Sequence, residues 1–413
     1  MNEQNPQQEG HETWRRTLYI VFTAQVMTAV GFSSVFPFLP LYVSDLGSVT
    51  GLSVELLSGL VFSAQAFTMM VASPIWGALA DRWGRKLMVE RAMLGGAGIL
   101  LLMAFVRSAE ELVLLRALQG MVTGTVSAAN ALVASVAPRR RTGFAMGMLQ
   151  VGLGTGVALG PLIGGAVADA YGYAAAFYVT ATLLFAAGLL VLFGVVEDFE
   201  PAERSELELL AFPRKWVSIL RMSGVRVTYL LEFLSYLGRM MLIPVLPLFI
   251  ADLLESGIGL NTFTGLAIGA GSLATTLTAV YFGRLGDRIG YRKVLVGASL
   301  AVGAVYIVHG FAQTGWQLLA MTAVAGVALG GVRPSIGALL AEHSHPGDEG
   351  AVYGLDNSVR AAGRALAPLL GSLIAVQFGI RAAFPAAGLV MFLTAWAAWT
   401  RLPRAEFAAQ AAD

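Results

Sequence analysis

Two carboxylates stand inside otherwise apolar stretches of this chain, Glu232 and Asp356. A charged group at mid-bilayer costs about 2.5–3.5 kcal/mol on insertion scales, so each needs a partner, a water-filled cavity or a function. Glu232 and Arg239 are seven apart, two turns along one helix face. Asp356 and Arg360 are four apart, the spacing of a helical ion pair, and Arg364 continues that face. Two chemistries fit: proton uptake and release at Glu232 and Asp356, or plain neutralisation in Glu232–Arg239 and Asp356–Arg360 pairs. A permanent arginine partner favours the charged form and makes reprotonation harder. Arg239, Arg360 and Arg364 together favour an anionic or amphiphilic solute over a purely cationic one.

Other chemistries lack their residues. There is no cysteine, hence no disulfide, thiolate or Fe–S ligation. His11, His309, His343 and His345 lack metal-ligand spacing, and no metal or cofactor is expected. The only lysines, Lys86, Lys215 and Lys293, each follow an arginine, which excludes a phosphate-binding loop and an ATP-driven pump. No nucleophile is grouped with a base, so an enzyme is not expected. A formal charge of +1 argues against a nucleic-acid partner.

The elements that must carry these residues are membrane spans. In 413 residues, 56% are hydrophobic and 13% charged, about half the charge of a soluble domain, and 145–168 holds no charge at all. Apolar runs predict spans near 17–43, 54–80, 87–106, 111–136, 143–168 and 174–196. A charged linker follows at 197–225, with one amphipathic turn near Phe212 and Trp216. Six more spans follow near 226–250, 262–286, 294–312, 316–341, 351–376 and 381–400. The first run is too long for a signal-peptide core of about 7–15 residues. With the N-terminus inside, the outer loops keep only Arg107 and Arg381 of the basic residues, which predicts cytoplasmic tails at 1–16 and 402–413.

Shifting the chain by 206 or 207 residues lays Pro37-Phe38-Leu39-Pro40-Leu41 on Pro244-Val245-Leu246-Pro247-Leu248. The same shift lays Gly77, Asp81, Arg82 and Gly84 on Gly283, Asp287, Arg288 and Gly290, and Pro161 and Gly164 on Pro368 and Gly371. Tyr171-Gly172 returns as Phe378-Gly379. This duplication predicts two six-helix bundles, 17–196 and 226–401, related by an axis along the membrane normal with a solute site between them.

Gly77, Asp81, Arg82, Gly84, Arg85 and Lys86 form a short acid-and-base loop between spans two and three. Its charges can pair internally, and Asp81 can face the positive end of a neighbouring helix, latching one conformation. Gly283, Asp287 and Arg288 repeat it. Span four holds Arg116-Ala117-Leu118-Gln119-Gly120. Span five holds Gly156, Gly160-Pro161 and Gly164-Gly165, whose four-residue spacing lets helices pack closely. On these motifs the whole chain resembles the major facilitator superfamily, and within it the twelve-span drug:proton antiporter branch. The resemblance implies an all-α inner-membrane protein of two pseudo-symmetric bundles. It also implies proton-coupled export of small amphiphilic compounds by alternating access, with a role for Arg116 in proton transfer. A specific carrier of an anionic metabolite, sugar or lipid is the alternative, and an enzyme or receptor on the same fold is a remoter one.

The expected partners are a small-molecule substrate, protons and the bilayer around a monomer. Gln25, Phe36, Asn130, Gln150, Tyr236, Arg239, Asn357, Arg360 and Arg364 are the candidates for lining the cavity. Carboxamides such as Asn130 and Gln150 are costly against lipid and cheap against water. The chain departs from some of these antiporters in one respect: span one carries no acid, and Gln25 is its only strongly polar side chain.

Overall fold

A computed structural model describes residues 6–138, 141–197, 223–254, 259–344 and 349–402, and the described residues are helical with short connections. The linker turn expected near Phe212 and Trp216, and Arg139 and Arg140, lie outside them. The helices are α1 (Pro6–Ser34), α2 (Leu39–Leu46), α3 (Val54–Trp83), α4 (Arg85–Met103), α5 (Ala109–Val122), α6 (Thr125–Val136) and α7 (Thr142–Gly194). After the linker come α8 (Ser223–Met240), α9 (Val245–Leu253), α10 (Leu260–Ile289), α11 (Tyr291–His309), α12 (Gly315–Leu329), α13 (Val332–His343), α14 (Glu349–Phe378) and α15 (Ala383–Arg401). Among the described residues, nine helical stretches are long and apolar enough to cross a membrane. Large apolar side chains point outward, with Phe193 79% and Phe311 74% exposed. That arrangement suits a lipid solvent.

Several expected spans are broken. The first and seventh are interrupted by turns at 35–38 and 241–244, around Pro37 and Pro244, because proline removes a donor from the helix ladder. The fourth breaks at Gly124, whose φ of 146° only glycine tolerates. The fifth and sixth run together as α7, parted only at Gly172, φ 83°. Helix α1 starts at Pro6, inside the expected tail. Helices α5 and α12 start alike: Ser108 accepts from the Glu111 amide and Thr314 from the Gln317 amide, satisfying donors that the first turn leaves open.

The chain divides into two compact units. One comprises Met1–Gly51, Phe67–Glu203 and Gly259–Gly269; the other comprises Leu52–Ala66, Arg204–Ile258 and Ala270–Asp413. Each unit thus takes in a short segment from the opposite half of the sequence. In the first, α1 packs along α7. A Cβ at Gly156, Gly160 or Gly164 would meet Ala29, Ser33 or the Ser34 carbonyl of α1 at 2.4, 2.0 and 1.9 Å. The α10 segment belongs there because a Cβ on Gly265 would stand 2.1 Å from the Pro161 carbonyl. In the second unit, α11 packs on α15, and α8 on α14 and α15. The start of α3 belongs with it: Ser63 Oγ accepts from the Leu369 amide at 3.2 Å, and a Cβ on Gly59 would lie 2.9 Å from the Pro368 carbonyl.

Candidate functional site

In the second unit, α8 presents Tyr229, Glu232, Tyr236 and Arg239 at spacings of three and four, a single stripe on one face. Helix α14 faces it with Asp356, Arg360 and Arg364. Close approach is allowed at Gly363, where a Cβ would be 2.8 Å from the Tyr236 Cβ. Arg360 then reaches both acids. Its Nε contacts Glu232 Oε1 at 2.5 Å and its Nη2 contacts Asp356 Oδ2. Glu232 and Asp356 are 2% and 1% exposed. The Tyr229 hydroxyl donates to the Val352 carbonyl at 2.8 Å and ties the same two helices.

The Asp356–Arg360 pair is the one that spacing predicts. The Glu232–Arg239 pair is not formed: Glu232 is taken by Arg360, while Arg239 lies over the Tyr236 ring, 4.8 Å from its centroid. Two turns separate Glu232 from Arg239 along α8, whereas α14 brings Arg360 directly opposite. One guanidinium thus serves two carboxylates, one on its own helix and one on α8. Asp356 Oδ1 and Arg364 Nε are buried with no hydrogen-bond partner among the described residues. Arg333 on α13, which sequence reasoning did not single out, joins Arg239, Arg360 and Arg364 within electrostatic reach of Tyr236. Asn357 is exposed on α14.

The remaining candidates lie in the first unit. Arg116 is 1% exposed on α5 and donates from Nη1 to Gln119 Oε1 at 2.7 Å. Gln25 is buried on α1, Phe36 half-buried at the break after it, Asn130 half-buried on α6, and Gln150 exposed on α7. Arg91 of α4 stacks on Trp76, its guanidinium carbon 3.3 Å from the ring centroid, and Trp76 Nε1 donates to the Met121 carbonyl at 2.6 Å.

At the latch loop, the side chain of Asp81 lies outside the described residues. The acid seen on a helix N-terminus there is Glu197, whose two oxygens accept from the Arg85 and Lys86 amides at 3.1 and 2.8 Å. Lys86 Nζ pairs with Glu90 at 3.5 Å and donates to the Leu192 carbonyl at 2.9 Å, holding the C-terminal end of α7. In the second copy the Tyr291 hydroxyl bonds Asp287, and Arg292 donates to the Ala398 and Trp399 carbonyls of α15. Gly84 and Gly290 close the two loops at φ 95° and 92°. Gly77 and Gly283 have open Cβ positions, with nothing within 4 Å. A further acid, Asp169, takes the N-terminus of α10: its oxygens accept from the Asn261 amide, Asn261 Nδ2 and the Thr262 amide at 3.1, 2.8 and 2.7 Å. Both Glu197 and Asp169 follow an apolar run in the sequence, where a carboxylate is free to meet a helix start.

The family model described as Major Facilitator Superfamily matches residues 21–231 and 228–412. A multidrug resistance protein MdtG from Salmonella arizonae is 34% identical over 397 residues, covering 96% of this chain and 98% of that protein. Its namesake in Salmonella paratyphi B is 35% identical over 395 residues, 96% and 97% of the two chains. Among solved structures, the crystal structure of the human organic anion transporter MFSD10 (TETRAN) superposes with a TM-score of 0.65 at 19% identity, covering 96% of this chain and all of that one. That likeness shows the fold.

Proposed function

The chain belongs to the major facilitator superfamily, and from this premise we propose that it exports small amphiphilic compounds across a cell inner membrane in exchange for protons, as a multidrug efflux carrier. The near full-length similarity to MdtG multidrug resistance proteins supports the substrate class. Counting each broken helix pair as one crossing and α7 as two gives twelve spans and both termini on one side, and the bias of basic residues makes that side the cytoplasm. Two six-helix bundles, 17–196 and 226–401, then alternate access to a solute site.

One observation carries the coupling: Arg360 clamps Glu232 of α8 and Asp356 of α14 together. A proton on Glu232 removes its charge and its hold on Arg360, so the tie between α8 and α14 loosens, while a proton on Asp356 frees Arg360 only from its partner within α14. Loss of the proton restores it. Because the acids are buried, the change is felt at low effective dielectric, where one charge matters far more than at a surface. The bound proton is thereby converted into helix movement. Each proton entering down 100 mV releases about 2.3 kcal/mol, enough for roughly a 50-fold solute gradient. The latch loops around Asp81 and Asp287, and Arg116, act in the conformational and proton steps respectively.

The test is uptake of a fluorescent amphiphile into energised inverted vesicles. Wild type should accumulate the dye and lose it when a protonophore is added. Glu232→Gln and Asp356→Asn should insert normally, with at least one losing accumulation. Unchanged, protonophore-sensitive accumulation in both variants would remove these acids from the coupling.

A further inference from the structure

Three arginines of the second unit form no ion pair among the described residues: Arg239 on α8, Arg333 on α13 and Arg364 on α14. Arg239 is held over the Tyr236 ring, Arg364 has its Nε buried without a hydrogen-bond partner, and Arg333 is exposed. Helix α8 packs on both α13 and α14, with Gly363 against Tyr236, so that these three and Arg360 all act electrostatically on Tyr236. Among the described residues the carboxylates in ion pairs there are Glu232 and Asp356, both on Arg360. Cations on apolar helices are costly unless a counter-charge or water meets them. Arg239 on the Tyr236 ring, Arg364 with its buried Nε and Arg333 on the neighbouring α13 therefore leave a demand for negative charge that the described residues do not supply.

Guanidinium forks match carboxylate, phosphate and sulfonate groups with paired, charge-assisted hydrogen bonds. Half-buried Phe233 and Met240 flank the stripe on α8 and offer an adaptable apolar surface for a tail. We propose that Arg239, Arg333 and Arg364 bind the anionic head group of an amphiphilic substrate, with its tail against α8. The proposal rests on the carrier reading above and names a head-group class within it. Such a substrate leaves the cell with the inside-negative potential, which favours its outward movement by about 50-fold per charge across 100 mV. The drive for an anion is therefore electrical as well as protonic.

The test uses full-length protein in bilayer discs and three fluorescent probes sharing one dodecyl tail, with a carboxylate, a trimethylammonium or a polyol head. The carboxylate probe should bind at least about tenfold tighter than the ammonium probe. Arg333→Gln and Arg364→Gln should each weaken it about tenfold, the scale of one hydrogen bond to a charged group, while Arg364→Lys recovers part of the loss. Polyol binding should stay at the wild-type level, which also reports that each variant is folded. Equal or tighter binding of the ammonium probe, or wild-type carboxylate affinity in Arg333→Gln, whose exposed side chain does not disturb packing, would overturn the proposal. Discs of neutral lipid and discs with anionic phospholipid separate the two sources of such a head group. Weaker carboxylate binding in the anionic discs identifies a lipid head as the occupant, and equal binding identifies a soluble amphiphile. Carboxylate binding without uptake of any probe into vesicles would defeat the carrier reading and leave the site standing.

Discussion

At the scale of single residues, the decisive feature is that one guanidinium serves two buried acids. Removing it leaves two buried carboxylates without their ion-pair partner, and breaking a buried pair this way costs about 3 kcal/mol or more. Arg360→Gln should accordingly lower the thermal midpoint of the purified protein by several degrees. Adding Glu232→Gln to that variant should restore part of the loss, because one orphaned charge is gone. A double variant no more stable than Arg360→Gln would mean that the clamp does not hold α8 to α14. The sequence showed half of this arrangement. Asp356 and Arg360 share a helix, so their spacing is visible in the chain. Glu232 meets Arg360 through packing of α8 on α14, which no spacing within α8 encodes, and the competing Glu232–Arg239 pairing follows just as well from periodicity alone. Arg333 was missed for the same reason: it lies far along the chain on α13, and only the tertiary fold brings it toward Tyr236.

At the scale of elements, helix ends and glycine faces do the positioning. Glu110 gathers the 48–50 loop, accepting from the Val49 and Thr50 amides and the Ser48 and Thr50 hydroxyls. The Thr50 amide and hydroxyl and the Ser48 hydroxyl hold its carboxyl well below the usual carboxylate range. A depressed acid contributes its contact above its unfolded value and loses it as pH falls through the folded one. Protection of the Val49 and Thr50 amides from hydrogen exchange should therefore persist on acidification to about pH 4, where free glutamates titrate, and fail only below it. In Glu110→Ala it should be low at every pH; retained protection in that variant would assign the loop's order to other contacts. Larger changes belong to the glycine seams. Gly265→Leu places a side chain on the Pro161 carbonyl, where even a Cβ would stand at 2.1 Å, so the start of α10 must leave α7. The chain has no cysteine of its own, which makes a cross-link easy to read. Cysteines at Asp169 and Asn261 should form a disulfide in the otherwise wild-type chain and much less of it with Gly265→Leu. An unchanged yield would show that the seam adapts. Helix existence and type were legible in apolar runs. The turns at 35–38 and 241–244 were not, since Pro37 and Pro244 read equally well as kinks inside a continuous span.

At the scale of the whole molecule, the sequence duplication is also a duplication of contacts. Lys86 reaches the Leu192 carbonyl as Arg292 reaches that of Ala398. Gly164 meets the Ser34 carbonyl as Gly371 meets that of Met241, and Gly265 meets Pro161 as Gly59 meets Pro368. Each pair is related by the 206- or 207-residue shift read from the sequence. Repeated motifs make this architecture legible in the chain itself. The asymmetry is less so: Glu232, Asp356 and the arginines without an ion pair among the described residues gather in the second half, while the first carries Arg116, Gln25 and an antiporter-type glycine face against α1. A duplicated frame with chemistry concentrated in one copy suits a carrier in which one bundle senses the proton and both move. The most direct test of that account is proton release from sealed vesicles of purified protein when an amphiphile is added to the cytoplasmic face, comparing wild type with Glu232→Gln and Asp356→Asn. The account predicts release that scales with transported amphiphile in wild type and is abolished in at least one acid variant. Transport with no proton movement in wild type, or proton release undiminished in both variants, would contradict it.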